Sequence, residues 1–293
     1  MSGFFCWLAI NTKTKQMIDG VTSEFLKCIN EPQAILKKVR DSMLPQQDEE
    51  MLKYANYWAI VTERHKQRGT YKKFIDFMKP ERGLHLDIGT GAGGLIEEFP
   101  TSSVLAVDIN HHCLKEAYRR IKATGKSVRK ISGSYITLDK EGFHIEPQRV
   151  REVDLTQTNL VIDNIKSLAN TKGILQHQGR QADGAVYALN GGHTDFLEMD
   201  AIPSQYDKID DVARLCKHGA KLLLVLRDVN FENGSPFYDP SGIQQKIEHG
   251  SKRVQVEKSR LLYLGNERDG NYMSGLERAG LKSMAYLVLA RVR

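Results

Sequence analysis

The stretch from Asp87 to Gly94 has the residue types and spacing best suited to chemistry in this chain. It reads Asp-Ile-Gly-Thr-Gly-Ala-Gly-Gly after a short apolar run, which predicts a turn between a strand and a helix. Glycines there let the backbone approach a ligand where a Cβ atom would collide, and the helix behind them offers unpaired N–H groups. Asp108 ends the next apolar run about 20 residues on, the spacing of a carboxylate that binds the hydroxyls of a ribose.

Two classes of cofactor fit this arrangement. Gly89, Gly91 and Gly94 match the GxGxxG pattern of nicotinamide dinucleotide sites. A pyrophosphate is anionic and gains nothing from Asp87, whereas a cationic ligand, such as a sulfonium that carries an ammonium group, gains directly. The carboxylate before the first glycine therefore favours the cationic ligand.

The motif resembles that of the class I S-adenosylmethionine-dependent methyltransferases, in which an acidic residue precedes GxGxG. Asp211 to Val225 is similar to the family's fifth strand with the helix before it, and Gly275 to Leu281 is similar to its last helix. The resemblance covers roughly residues 80–293. It implies a Rossmann-like α/β fold, a seven-stranded, mostly parallel sheet with helices on both faces and a final antiparallel hairpin. It also implies that S-adenosyl-L-methionine is the cofactor, bound by Asp87, Gly89, Thr90, Gly91, Gly93, Asp108, Ile109 and Ser134.

The same resemblance implies roles for two residues further along the chain. Many family members carry an acidic residue after strand three that reaches the adenine amino group, and here Ser134 would act there through its hydroxyl. The position after strand four faces the methyl group and its acceptor in many members. That position is Asp163, at the end of the predicted strand four, and it is the candidate catalytic residue. The alternative is a residue that only ends the strand and caps the next element.

The elements around these residues follow the rhythm of a parallel sheet. Apolar runs alternate with helical periods after residue 83, which predicts βαβ units. The remaining pattern predicts a hairpin at 136–145, strands at 221–226 and 254–264, and a last strand at 283–291. Residues 164–204 contain five glycines and no helical period, which predicts an insertion or loop instead of a sheet element.

The chain is expected to contain one catalytic domain and an appended segment. Residues 1–80 are predicted to be a helical extension and residues 81–293 the cofactor-binding domain, with the insertion at about 164–204. Hydrophobic residues make up 41% and charged residues 27%, which excludes wholesale disorder. Four isolated cysteines indicate a reducing, intracellular and cytoplasmic compartment, and we expect no metal site, secretory signal or membrane anchor.

A cluster of cations before the cofactor motif suggests the substrate. The net charge is +6, and no acid stands between Arg64 and Ile75. A solvated helix face is the ordinary interpretation; phosphate contact with RNA or another anionic substrate is the functional one. The candidate substrate-binding residues are Arg64, Lys66, Arg68, Lys72 and Lys73.

The sequence therefore predicts an S-adenosylmethionine-dependent methyltransferase whose leading acceptor is RNA. Small molecules and protein side chains are alternative acceptors. A non-catalytic binding subunit with the same fold is the rival from another class, and a dehydrogenase is the third choice.

Overall fold

The computed structural model describes residues 32–130, 136–139, 142–145, 150, 153–163, 168–189, 202–227, 231–232, 235–236, 240–265 and 283–293. The chain divides into two compact units after Lys53. Helix α1 (Pro32–Gln67) begins in the first unit and ends in the second. Residues 54–80 thus belong to the same compact unit as the sheet, whereas the sequence predicted a helical extension that reaches residue 80.

Eight strands of the second unit form one sheet in the order β11-β12-β8-β7-β1-β2-β6-β3. The β7–β8, β7–β1, β1–β2, β2–β6 and β6–β3 pairs are parallel, and β11–β12 and β12–β8 are antiparallel. β4 pairs with β5, and β9 with β10, in two separate ribbons. In chain order the strands are β1 (His85–Ile88), β2 (Val104–Asp108), β3 (Val128–Lys130), β4 (Ile136–Asp139), β5 (Gly142–Ile145), β6 (Thr158–Ile162), β7 (Ala182–Leu189), β8 (Cys216–Arg227), β9 (Phe231–Glu232), β10 (Ser235–Pro236), β11 (Val254–Gly265) and β12 (Ser283–Val292).

Helices cover both faces of the sheet, each over its own hydrophobic core. One core includes Phe74, Ile96 and Leu114 from three helices, and the other includes Ile174 and Ile209 from two helices on the opposite face. No helix among the described residues is long and apolar enough to cross a bilayer. The helices after α1 are α2 (Thr70–Met78), α3 (Gly94–Glu98), α4 (His111–Ala123), α5 (Ala169–His177), α6 (Ile202–Arg214) and α7 (Pro240–Gly250).

The side chains of strand β1 point alternately into the two cores. Leu86 and Ile88 pack into the core under α5 and α6. Because side chains alternate along a strand, His85 and Asp87 point to the other face, where α2, α3 and α4 lie. The carboxylate of Asp87 therefore lies on the face of the sheet that α2, α3 and α4 cover.

The interpretation of residues 164–204 as an insertion without a sheet element is wrong for residues 182–189. These residues form β7, which lies between β1 and β8 in the middle of the sheet. Asp183 and Gly184 gave the segment the composition of a loop, but both have tertiary roles. The Asp183 carboxylate accepts a hydrogen bond from the Leu84 N–H at 2.8 Å, and a Cβ atom at Gly184 would lie 2.8 Å from Nδ1 of His85.

The strand order places a crevice at the carboxyl end of β1. The chain runs from β1 outward to β2 and β6, then returns to the other side of β1 to form β7 and β8. Open parallel sheets bind ligands outside the carboxyl ends of their strands where the order reverses in this way. The predicted glycine loop follows β1 at this point.

Candidate functional site

The loop after β1 is built from glycines with positive φ angles, and two of them have different tasks. Gly91 has φ +53°, and a Cβ atom there would meet nothing within 4 Å. Gly93 has φ +81°, and a Cβ atom there would lie 2.8 Å from the Cβ of Ala117 on α4. Gly93 is therefore required for packing of the loop against α4, whereas Gly91 leaves space in front of the loop.

Asp108, the last residue of β2, holds the glycine loop in place through a hydrogen bond to its backbone. Its Oδ2 accepts a hydrogen bond from the Gly91 N–H at 2.8 Å, and its Oδ1 accepts one from the Asn110 N–H at 2.8 Å. Asn110 in turn caps α4, because its side-chain oxygen accepts from the N–H groups of His112 and Cys113. Burial raises the pKa of Asp108, while the N–H groups of Asn110 and Gly91 act in the opposite direction.

Asp87 is 1% exposed, and its Oδ2 accepts a hydrogen bond from the Thr90 hydroxyl at 2.7 Å. Burial raises the pKa of this carboxyl to about 7; the Thr90 hydrogen bond lowers it, and the charge of Asp108 raises it further. A buried carboxyl with a pKa so far above its usual value is typical of a functional site.

A pocket lies over the loop, and residues of α1 and α2 form part of its wall. None of the described residues that line it is a lysine or an arginine, and Asp87 is the one carboxylic acid among them. All of these residues belong to the unit that begins at Tyr54. The lining residues are Trp58, Thr62, His65, Thr70, Tyr71, Phe74, Asp87, Gly89, Thr90, Gly91, Leu95, Val186 and Val225.

The part of the wall that α1 and α2 supply, with Trp58, Tyr71 and Phe74, was not predicted from the sequence. Gly94, at the start of α3, carries the signal that could have found it. A Cβ atom at Gly94 would lie 2.3 Å from the Tyr71 ring and 2.6 Å from a methyl carbon of Thr62. Any side chain at position 94 would therefore collide with the wall, so the last position of the motif requires glycine.

Ion pairs on the surface of the same unit hold α1 against α3 and α4. Lys66 pairs with Glu97 of α3, whose side chain is 5% exposed. Arg120 of α4 pairs with Glu63 of α1 at 2.8 Å. The partner of each α1 residue lies on a helix that packs beside the glycine loop, so the pairs fix the wall over the pocket.

The predicted cofactor residues Gly89, Thr90 and Gly91 line the pocket with Asp87. Asp108 lies directly beneath the loop, and Ile109 after it is 45% exposed, an apolar side chain next to the ribose-binding candidate. Gly93 is buried behind the loop. Ser134 lies outside the described residues.

Asp163, the predicted catalytic residue, does not line the pocket. Asp163 follows β6, which pairs with the outer side of β2, whereas the strand on the other side of β1 is β7. Asp163 is buried, and its Oδ2 accepts hydrogen bonds at 2.8 Å from the N–H and the hydroxyl of Thr171. The structure places it at the start of α5, two strands from β1.

The cations predicted to bind substrate differ in their surroundings. Lys66 is engaged with Glu97. Lys72 and Lys73 on α2 are exposed, and Arg64 and Arg68 are half-buried. Contact of Arg64, Arg68, Lys72 and Lys73 with an anionic substrate stays a prediction.

The sequence matches no protein-family profile and no curated protein, but solved structures do resemble it. The N-methyltransferase NodS from Bradyrhizobium japonicum WM9 is 11% identical over 77% of this chain and 96% of its own, with a TM-score of 0.43. TrmN from Thermus thermophilus is 12% identical over 79% of this chain, with a TM-score of 0.44, and the match spans only 52% of TrmN. Magnesium protoporphyrin IX methyltransferase (ChlM) from Synechocystis PCC 6803, solved with bound SAM, is 12% identical over 91% of this chain and 99% of its own, with a TM-score of 0.41.

The observed sheet has one strand more than the resemblance implied, because β3 adds an edge beyond β6. The parallel core, the helices on both faces and the antiparallel β11–β12 pair agree with it. The chain therefore has a Rossmann-like α/β fold.

Proposed function

We propose that this protein is an S-adenosylmethionine-dependent methyltransferase. The observation that carries the proposal is the meeting of two buried carboxylates, Asp87 and Asp108, at one glycine loop with open space in front of Gly91. Each carboxylate suits a different part of the ligand.

Asp108 is suited to the ribose. A carboxylate offers about four lone-pair sites. Here the N–H groups of Gly91 and Asn110 occupy one on each oxygen and the N–H of Ile109 also bonds to the carboxylate, so capacity remains for a ribose hydroxyl. The exposed side chain of Ile109 supports a flat, apolar purine face next to that ribose.

Asp87 is suited to a positive charge. Its carboxyl has a raised pKa because burial disfavours the charged form, and a cationic ligand would restore that form. The same carboxyl would repel a pyrophosphate, and no lysine or arginine among the described lining residues would offset this. The pocket therefore favours S-adenosylmethionine over a nicotinamide dinucleotide.

The cofactor supplies a methyl group that an acceptor nitrogen or oxygen attacks in line with the departing sulfur. The task of the chain is to hold the two reactants in that line and to exclude water. Positioning alone contributes up to about 7–11 kcal/mol in a transfer of this kind. The carboxyl ends of β7 and β8, which supply Val186 and Val225 to the pocket, are where we place the acceptor.

RNA is the acceptor that we propose. The cations Arg64, Arg68, Lys72 and Lys73 alternate with the lining residues on the segment from α1 to α2. An anionic polymer bound by these cations would lie next to the wall of the cofactor pocket. RNA carries the phosphates that such a cluster binds.

The test is methyl transfer from S-adenosylmethionine labelled in its methyl group. Purified protein is incubated with total RNA, with a mixed protein extract or with a small-molecule extract of the same cells. Label in RNA, with one S-adenosylhomocysteine formed per methyl, supports the full proposal. Label only in another fraction overturns the RNA acceptor. Binding of S-adenosylmethionine without transfer to any fraction indicates a non-catalytic subunit.

A further inference from the structure

Three aromatic side chains line the cofactor pocket from the α1 and α2 side: Trp58, Tyr71 and Phe74, which we call the aromatic wall. The Tyr71 and Phe74 rings meet edge to face, with centroids 6.2 Å apart and planes at 88°. His65, another lining residue, lies edge to face against Tyr71 at 6.0 Å. The pocket is thus enclosed on one side by π systems and on the other by the glycine loop.

The wall is a fixed part of the pocket. The Tyr71 ring lies so close to Gly94 that a Cβ atom there would be 2.3 Å from it. The Tyr71 hydroxyl donates to the Thr62 hydroxyl at 3.4 Å, which ties α2 to α1. Lys66–Glu97 and Arg120–Glu63 then tie α1 to the two helices beside the loop.

The electrostatic character of the pocket points to a cation. Aromatic faces attract positive charge, most strongly where water is excluded, and an indole does so best. The one carboxylate that lines the pocket is Asp87, and no lysine or arginine among the described lining residues competes with a cationic ligand. Rings and carboxylate would therefore act on the ligand in the same direction.

We propose that the aromatic wall recognises the positive charge of the sulfonium, so that the protein discriminates the methyl donor from its demethylated product. This inference rests on the proposed function. When the methyl carbon bonds to the acceptor, the electron pair of the broken bond stays on sulfur, which becomes a neutral thioether. The attraction to the rings is lost at that moment, and S-adenosylhomocysteine leaves more easily than S-adenosylmethionine.

The competing explanation is that the rings only fill space. Phe74 is 6% exposed and belongs to the core under α2, so its removal would disturb the fold. Trp58 and Tyr71 are half-buried, and they are the positions to test. Tyr118 on α4 is a matched control, because it is also half-buried on the same core but does not line the pocket.

The experiment measures dissociation constants by calorimetry for three ligands: S-adenosylmethionine, S-adenosylhomocysteine and sinefungin, in which an amine-bearing carbon replaces the sulfonium. The variants are Trp58→Leu, Trp58→Phe, Tyr71→Leu and Tyr118→Leu. Trp58→Leu and Tyr71→Leu each weaken S-adenosylmethionine and sinefungin by about five- to thirtyfold and leave S-adenosylhomocysteine within about twofold. Trp58→Phe keeps most of the preference, and Tyr118→Leu keeps all of it.

Two results overturn the inference without touching the proposed function. In the first, the leucine variants weaken all three ligands equally, which means that the rings supply contact area only. In the second, the folded leucine variants bind like the wild type. If the wild-type protein binds none of the three ligands, the proposed function itself is wrong and the inference falls with it.

Discussion

The N–H of Gly91 donates a hydrogen bond of 2.8 Å to Oδ2 of Asp108, which joins the loop after β1 to the end of β2. The bond links two residues that lie far apart in the chain at the crevice where the strand order reverses. It holds the carboxylate beside the open side of the loop, where the pocket lies.

Replacement of Asp108 with Asn should weaken S-adenosylmethionine binding at least about tenfold. The variant removes a charged acceptor whose hydrogen bonds contribute roughly 1.5–3 kcal/mol. Calorimetry at pH 7 measures the effect, and Asp211→Asn, an exposed site on α6, serves as the control. Unchanged affinity in a folded Asp108→Asn protein would remove this residue from the site.

Gly91 and Gly93 should respond differently to a side chain. Valine at Gly91 points into the open space of the pocket and should abolish cofactor binding, with about 1–2 kcal/mol lost from the free energy of unfolding because of the positive φ. Alanine at Gly93 collides with Ala117 and should lower the free energy of unfolding further. Chemical denaturation and calorimetry separate the two effects. Tight binding by Gly91→Val would mean that the loop does not contact the ligand.

The affinity for S-adenosylmethionine should rise with pH up to about 7. Burial raises the pKa of Asp87 to about 7, so a cationic ligand must displace a proton below that pH. Affinity should rise by up to about tenfold per pH unit between pH 5.5 and 7. This pH range lies below the pKa of the ligand's own amino group, about 7.7–8.0, so that group stays protonated throughout. Calorimetry in buffers of different ionisation enthalpy measures the released proton. Asp87→Asn should bind more weakly and lose this pH dependence.

The same carboxyl should affect stability without ligand. Because its pKa is raised on folding, the folded protein keeps a proton that the unfolded chain loses, and this contribution to the free energy of unfolding falls as the pH rises from about 4 to about 7. Asp87→Asn should therefore be more stable than the wild type at pH 8, by thermal denaturation. Equal melting temperatures at pH 8 would show that burial of this charge has no energetic consequence.

His85 should act on stability with the opposite sign. It is 1% exposed, stacks on Phe99 at 5.2 Å, and its Nε2 lies 2.7 Å from the Glu81 carbonyl oxygen. Burial lowers its pKa, so its contribution to stability is present above about 6.5 and is lost as the pH falls below that value. The pH dependence of the melting temperature below 6.5 should be smaller in His85→Gln than in the wild type; an identical dependence would contradict this assignment.

Substitution of four cations on α1, α2 and the turn between them should test RNA binding. Replacing Arg64, Arg68, Lys72 and Lys73 with Ala should weaken RNA binding and reduce the slope of log K against log salt by about 0.7–0.9 for each lost contact. Lys172, Arg180, Lys252 and Arg253 are an exposed control set of equal charge. Cofactor affinity should stay unchanged, because none of the four lines the pocket. Equal losses in both sets would indicate a general charge effect.

Much of the fold could be predicted from local patterns. The runs that became β1, β2, β11 and β12 are apolar and bounded by turn residues, so their positions follow from the sequence alone. β7 could not be recognised because Asp183 and Gly184 interrupt its apolar character. Gly184 makes room for His85, which is a contact between strands far apart in the sequence.

The candidate site divides in the same way. Asp87, Gly91 and Asp108 belong to one contiguous βαβ unit, and their spacing carried the prediction. The wall formed by Trp58 and Tyr71 depends on how α1 and α2 return over the loop, of which the sequence gives only an indirect sign, the glycine at position 94. Asp163 follows β6, and the pairing of β6 with β2 could not be predicted locally either, since strand order is a tertiary property.

The measurement that tests the central claim most directly is a calorimetric titration of the wild-type protein with S-adenosylmethionine and, separately, with NAD⁺, repeated in Asp108→Asn. The account predicts one site per chain for S-adenosylmethionine, weakened at least about tenfold in Asp108→Asn, and no binding of NAD⁺. Binding of NAD⁺ in preference to S-adenosylmethionine, or no binding of S-adenosylmethionine by folded protein, would contradict it.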